Sequence, residues 1–222
     1  MPLTKSLEKM LELPLFQGMS KTDMNKVLAH TPLGFENYSN GKTIVEEGSE
    51  CTYLYFLLRG NITAISKAYD NSYRITETLF SPDILQPECL FGFTQRFTKS
   101  FVADGPCQMV RISKREIVNL SDEYQIFRIN ILNMISTQSQ RVSRLLWRTP
   151  PKDIRSKIIH FVGSRCIHPA GEKILYVKME DLGRLLSESR LNISRELNKM
   201  AEEKVIDLTR GVIHFHALEQ LI

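Results

Sequence analysis

Ser189, Arg190, Asn192, Ser194, Arg195 and Lys199 crowd one short stretch near the C-terminus. They supply hydroxyl, amide, guanidinium and ammonium donors. They do not form a nucleophile–base pair or a metal set, so the chemistry they suit is recognition. A guanidinium can grip a guanine edge or a phosphate, an amide an adenine edge, and a hydroxyl a phosphate. Ile193, Leu197 and Met200 are interleaved at i, i+4 and i+7, the spacing of one helix face. Ser189 stands where an N-cap belongs. Upstream, Leu182, Leu185 and Leu186 mark a second apolar stripe, and Ser187, Glu188 and Ser189 form the break between the two. The pattern predicts a helix–turn–helix whose second helix carries its donors on the first turns, as in a helix entering a DNA major groove. Arg190 and Arg195 lie five positions apart, so they diverge by about 140° and do different jobs. Arg195 is the candidate base reader and Arg190 the candidate phosphate contact.

Two short amphipathic helices alone also occur in many enzymes. What surrounds these narrows the reading. Val205–Leu208 predicts a strand, Thr209, Arg210 and Gly211 a turn, and Val212–Phe215 the return strand. That hairpin makes a wing, and places Arg210 at its tip as a further DNA contact. Lys152–Cys166 predicts a preceding helix through Ile154, Ile158, Ile159 and Val162, and Ile174–Val177 another strand of the wing sheet.

The formal net charge is only +4 over 222 residues. Residues 149–222 hold 12 Lys/Arg against 10 Asp/Glu, and residues 1–148 hold 17 against 15. Affinity for a polyanion must therefore come from where the charges stand, not from their sum. The sequence has neither an apolar run of membrane-spanning length nor a signal-peptide core at its start, so a cytoplasmic protein is expected. Four cysteines, Cys51, Cys89, Cys107 and Cys166, lack a CxxC pair and are read as reduced thiols.

Ahead of this, the grammar is that of a β-protein. Short helices are expected at residues 4–12 and 21–30. Strands follow at Thr43–Val45, Thr52–Leu58, Ile62–Ser66, Tyr73–Leu79 and Gln108–Ile112, with a turn at Arg59–Asn61 and a helix at Lys114–Leu120. A long helix is expected from Asp122 to Arg148, stopped by Pro150 and Pro151. Ile131, Ile135, Gln138, Val142 and Leu145 form a heptad seam along it, suited to a homodimer. Phe127, Met134 and Leu146 could pack on the chain's own barrel. The fold class is thus α+β: a β-roll or jelly-roll sensor over 1–121, a dimerisation helix over 122–148, and a winged helix–turn–helix over 149–222.

This organisation resembles the CRP/FNR family of bacterial transcription regulators. Gly41, Gly48 and Gly60, with Tyr55–Gly60, look like the first strands of the cyclic-nucleotide-binding domain, and Ser189–Leu197 looks like its recognition helix. The resemblance implies a homodimer on double-stranded promoter DNA, with RNA polymerase as a further partner. It also implies an effector pocket of Glu88, Cys89, Lys99, Ser100, Gln138, Val142 and Ser143. Glu88 matches the family's ribose-binding carboxylate. Pro87, however, stands where Gly should be and removes a backbone donor to the cyclic phosphate. Lys99 replaces an Arg and loses its planar fork. Cyclic AMP is therefore not the expected effector; another small molecule, or none, is.

The family's FNR branch holds an iron–sulfur cluster through N-terminal cysteines. Here no cysteine precedes Cys51, so no cluster is expected. His30, the one histidine of the N-terminal part, is a weak signal for haem. Cys166 with His168, and His214 with His216, invite a zinc reading, yet a wing histidine more often meets phosphate or solvent, and no metal is expected. An enzyme of cupin type would need a histidine cluster that is missing, so no catalytic residue is assigned. Two other readings stay open: an effector-independent regulator, and a ligand-binding module that does not touch DNA.

Overall fold

The computed structural model describes residues 9–147 and 151–221. The start of the expected 4–12 helix, the stop at Pro150 and the side chains of Leu145 and Leu146 fall outside what is described. Two compact units are present. One comprises residues 1–62 and 79–146, the other residues 63–78 and 147–222.

In the first unit, helix α1 (Lys21–His30) starts at Ser20, whose hydroxyl accepts from the Asp23 amide. Strands β1 (Leu33–Tyr38), β2 (Thr43–Val45), β3 (Tyr53–Lys67), β4 (Tyr73–Phe80), β5 (Asp83–Leu85) and β6 (Ser100–Ser113) follow, β3 and β4 running on into the second unit. β6 pairs antiparallel with β1 from Leu33↔Ile112 to Tyr38↔Cys107, and with β2 at Thr43↔Val102. β5 closes on β3 at Tyr55↔Leu85. The expected turn at Arg59–Asn61 is instead the middle of one continuous strand. Gly60 sits there at φ +83°, and a Cβ on it would lie 2.5 Å from the Pro106 carbonyl oxygen. The glycine marks a close approach of two backbones rather than a reversal.

Helix α2 (Lys114–Glu123) ends at Tyr124, an extended residue, and helix α3 (Gln125–Trp147) begins after it. Asp122 and Glu123, expected in the long helix, thus belong to the one before. The Phe16 ring packs, tilted, against those of Phe56 and Phe127 at centroid distances of 5.7 and 5.5 Å, and Asn130 donates to the carbonyls of Leu15 and Gln17. Phe127 and Ile131 are buried by this packing, while Ile129, Leu132 and Val142 stay exposed. Ile131, placed in the dimer seam by its spacing, is therefore covered by its own unit. Val142, eleven positions on, falls on nearly the same face and is exposed, whereas the exposed Ile129 and Leu132 lie on other faces.

The second unit holds helices α4 (Ile154–Gly163), α5 (Met179–Leu186) and α6 (Arg190–Glu202), and strands β7 (Lys173–Val177), β8 (Ile206–Thr209) and β9 (Val212–Phe215). β8 and β9 form the wing, β9 pairs with β7, and β7 pairs with β4 from Tyr73↔Val177 to Glu77↔Lys173. The hairpin of residues 63–78, expected with the sensor, thus completes this sheet. Ile75 joins the core of Ile158, Val162, Leu175, Ile193 and Phe215. Glu77 and Lys173 are both almost fully buried, with Nζ 3.6 Å from Oε2. Glu77 also accepts from the amides of Ile167 and His168, and Lys173 donates to the Ala170 carbonyl. Buried charges need such partners.

Candidate nucleic-acid interface

The apolar stripes fall where periodicity puts them. Leu182 is buried on α5; Ile193, Leu197 and Met200 are buried on α6. Between the helices, Ser187 takes a left-handed conformation (φ 55°, ψ 44°), and the Glu188 amide donates to the Gly183 carbonyl at 2.8 Å. Gly183 makes this turn possible. A Cβ on it would stand 2.8 Å from the Glu188 carbonyl oxygen. The sequence reading passed over this residue, although a glycine inside an amphipathic helix just before a break is a signal of close approach.

Ser189 caps α6, its hydroxyl accepting from the Asn192 amide at 3.1 Å. Arg190, Asn192, Arg195 and Lys199 are exposed, and Ser194 is half-buried. Arg190 lies 3.6 Å from Glu180, with both side chains open to water. Such a pair contributes little and yields easily to a phosphate. Among the described residues, Arg195 has no ion-pair partner. Leu191 is also exposed, at 58 %. It is an apolar group among donors that the sequence reading left out, and it suits a thymine methyl. Opposite, Lys157 on α4 binds Glu188 at 2.6 Å, and Arg155 binds Glu203. These pairs clamp both ends of α6 to α4. Arg210 is exposed at the wing turn, next to Gly211 at φ +77°.

The candidate effector residues present differently. Glu88 and Cys89 sit in a 3-10 turn, Pro87–Cys89, entered through Gln86 in a left-handed conformation. Cys89 is buried, and Glu88, Lys99, Ser100 and Gln138 are half-buried. Val142 and Ser143 on α3 are exposed. The Ser100 hydroxyl accepts from the Glu47 amide at 3.0 Å. Gln86, absent from the candidate set, is buried and grips Thr98 twice. It donates to the Thr98 hydroxyl and accepts from the Thr98 amide. Burial, helped by Cys89 and Glu88, pushes the Cys51 thiol up to about 12; burial and then Glu88 push Cys89 up to about 11. All four cysteines are buried and outside any disulfide.

The zinc candidates separate into two groups. Cys166 is buried and contacts the Val162 carbonyl, while the His168 backbone serves Glu77. His214 and His216 lie on the wing with Asp207, an acidic partner that the sequence reading did not bring to them. Among the described residues no helix is long and apolar enough to cross a membrane.

Residues 35–124 match the cyclic nucleotide-binding domain. The chain is 22% identical over 192 residues to the cAMP-activated global transcriptional regulator Vfr of Pseudomonas aeruginosa, covering 82% of this chain and 88% of that one. It is 21% identical over 175 residues to the cAMP-activated global transcriptional regulator CRP of Pasteurella multocida, covering 76% and 83%. The crystal structure of the Thermus thermophilus catabolite activator protein superimposes with a TM-score of 0.56 over 94% of this chain and 96% of its own, at 18% identity. Residues 35–124 thus form a cyclic nucleotide-binding domain, the fold of the whole chain is that of the catabolite activator protein, and over most of its length the chain is similar to transcriptional regulators of the CRP type.

Proposed function

We propose that the protein is a cytoplasmic, dimeric transcription regulator that binds near-palindromic promoter DNA through α6 and the wing. The observation that carries this reading is the two-sided character of α6. Its apolar face is locked into the core, while Arg190, Asn192, Arg195 and Lys199 are exposed to solvent on a helix capped by Ser189. Arg195 reads a guanine edge, Arg190 and Ser189 meet phosphate, Asn192, Ser194 and Lys199 support them, and Arg210 follows the backbone from the wing. Two-fold symmetry through α3, with its exposed Ile129, Leu132 and Val142, sets the two recognition helices about 34 Å apart. The named relatives, described as transcriptional regulators rather than enzymes, support the same reading.

Both named relatives are described as cAMP-activated, yet for this chain we propose a different effector. Pro87 lacks the amide that a cyclic phosphate needs, Lys99 lacks the guanidinium fork, and Gln86 already occupies Thr98. Fluorescence anisotropy with a labelled duplex from the gene's own upstream region tests the DNA reading. Affinity should fall steeply with salt and exceed that for random duplex. Equal affinity for both duplexes would overturn it. Sedimentation should give a dimer, and calorimetry with cyclic AMP should give no binding heat.

A further inference from the structure

The wing gathers a set of metal donors that recognition of DNA does not use. Asp207 on β8 lies directly across the ladder from His214 on β9, and His216 follows two residues later on the same face. His214 Nδ1 is 3.7 Å and His216 Nε2 3.3 Å from one and the same oxygen, Asp207 Oδ2. The three donor atoms lie within 4.8 Å of one another. The fourth member is Glu172, just before β7, whose Oε1 meets the other ring nitrogen of His214.

We propose that Asp207, His214 and His216 form a divalent-metal site of the zinc class on the wing, with Glu172 as the residue that orients His214. Two imidazoles and one carboxylate are a donor set that zinc accepts, with a fourth position left to water. Donors on one tetrahedral zinc ion stand roughly 3.3–3.6 Å apart, and the two contacts to Asp207 bracket that separation. Glu172 takes the proton-bearing Nε2 of His214, which fixes the tautomer and turns the Nδ1 lone pair toward Asp207. Asp207 and His214 come from two strands held in register by backbone hydrogen bonds, and His216 directly follows the second of them, so only small side-chain shifts are needed to enclose an ion. The site is open to solvent on one side, as His216 and Asp207 are exposed, and an ion can enter without unfolding. Bound metal would tie β8 to β9 below the turn that carries Arg210. The site stands on its own geometry. Only that consequence for Arg210 rests on the DNA-binding reading.

The test is a zinc chloride titration of the metal-free, full-length protein against a chromogenic chelator. The wild type should take up one equivalent that His216→Ala and Asp207→Asn both lose, with circular dichroism confirming that the exposed substitutions leave the fold intact. Glu172→Gln should keep the stoichiometry but bind roughly 10- to 100-fold more weakly. Cobalt in place of zinc should give a visible absorption that the same two variants abolish. If the wild type takes up no equivalent, or if His216→Ala binds zinc as the wild type does, the site is not a metal site.

Discussion

Helix α6 and the connection from Gln86 to Ser100 are both rich in polar side chains and use them in opposite ways. On α6 the donors face water; the Ser189 hydroxyl caps the helix, and Arg190 makes only a solvent-exposed pair with Glu180. In the connection, Gln86 is buried against Thr98, and the Ser100 hydroxyl is taken by Glu47. Polar groups with fixed internal partners specify the fold, because leaving them unmade is costly. Groups held on a rigid helix without such partners are available to another molecule. Glu77 and Lys173 are the extreme of the first kind, and Arg195 is the clearest of the second.

Substitutions can sharpen that contrast or break it. Lys173→Met leaves the Glu77 carboxylate buried without its counter-charge and should cost about 3–5 kcal/mol, read from urea denaturation. An unchanged midpoint would show that this pair is not structural. Gln86→Ala removes two hydrogen bonds to Thr98, an exposed residue that water can then serve, and should cost about 1 kcal/mol of stability while leaving intrinsic DNA contacts alone. Arg195→Ala should do the reverse. It should unfold at the wild-type temperature and lose about 1–3 kcal/mol of discrimination at one base pair per half-site; an unaltered base preference in anisotropy would place Arg195 outside the interface.

Ser189→Ala falls between the classes. Its cap contributes about 1 kcal/mol to the helix, so both the unfolding midpoint and the DNA affinity should drop, and a loss in only one would assign it to that class alone. The smallest effect is expected at Asp153, the cap of α4. The Ser156 amide, and then the Ser156 hydroxyl, hold its carboxyl below the ordinary carboxylate range. A depressed value contributes stability that is complete above the unfolded value of about 3.9 and is lost as pH falls through the folded one. Asp153→Asn should lose that small contribution at neutral pH and soften the acid limb. Superimposable acid titrations of the two proteins would contradict this.

What the sequence made legible was local. The stripes of α5 and α6, the Ser189 cap and the strand Val212–Phe215 follow from spacings of a few residues, and the structure reproduces them. The break at Tyr124 has no glycine or proline to announce it. Arg59, Gly60 and Asn61 read as a turn because glycine serves both reversals and close approaches, and only the strand opposite decides between them. The long-range partners were invisible for the same reason. Nothing near Gln86 points to Thr98, nothing near His214 points to Asp207 and Glu172, and nothing in Tyr73–Thr78 marks it as a strand for the winged unit. The seam on α3 was half legible: periodicity found its apolar residues but could not tell that Ile131 was already covered.

The pairing of β4 with β7 joins residues roughly a hundred positions apart in the chain. During synthesis the hairpin leaves the ribosome long before the strand it will pair with exists. Until then Ile75 and the Glu77 carboxylate have neither a core nor a counter-charge. The winged unit therefore cannot finish folding as a late, self-contained C-terminal event. Its completion requires the capture of a piece made early, and non-local closures of this kind are slow. A nascent chain of this protein carries β4 paired with β3 on one edge and open on the other while roughly the next hundred residues are made.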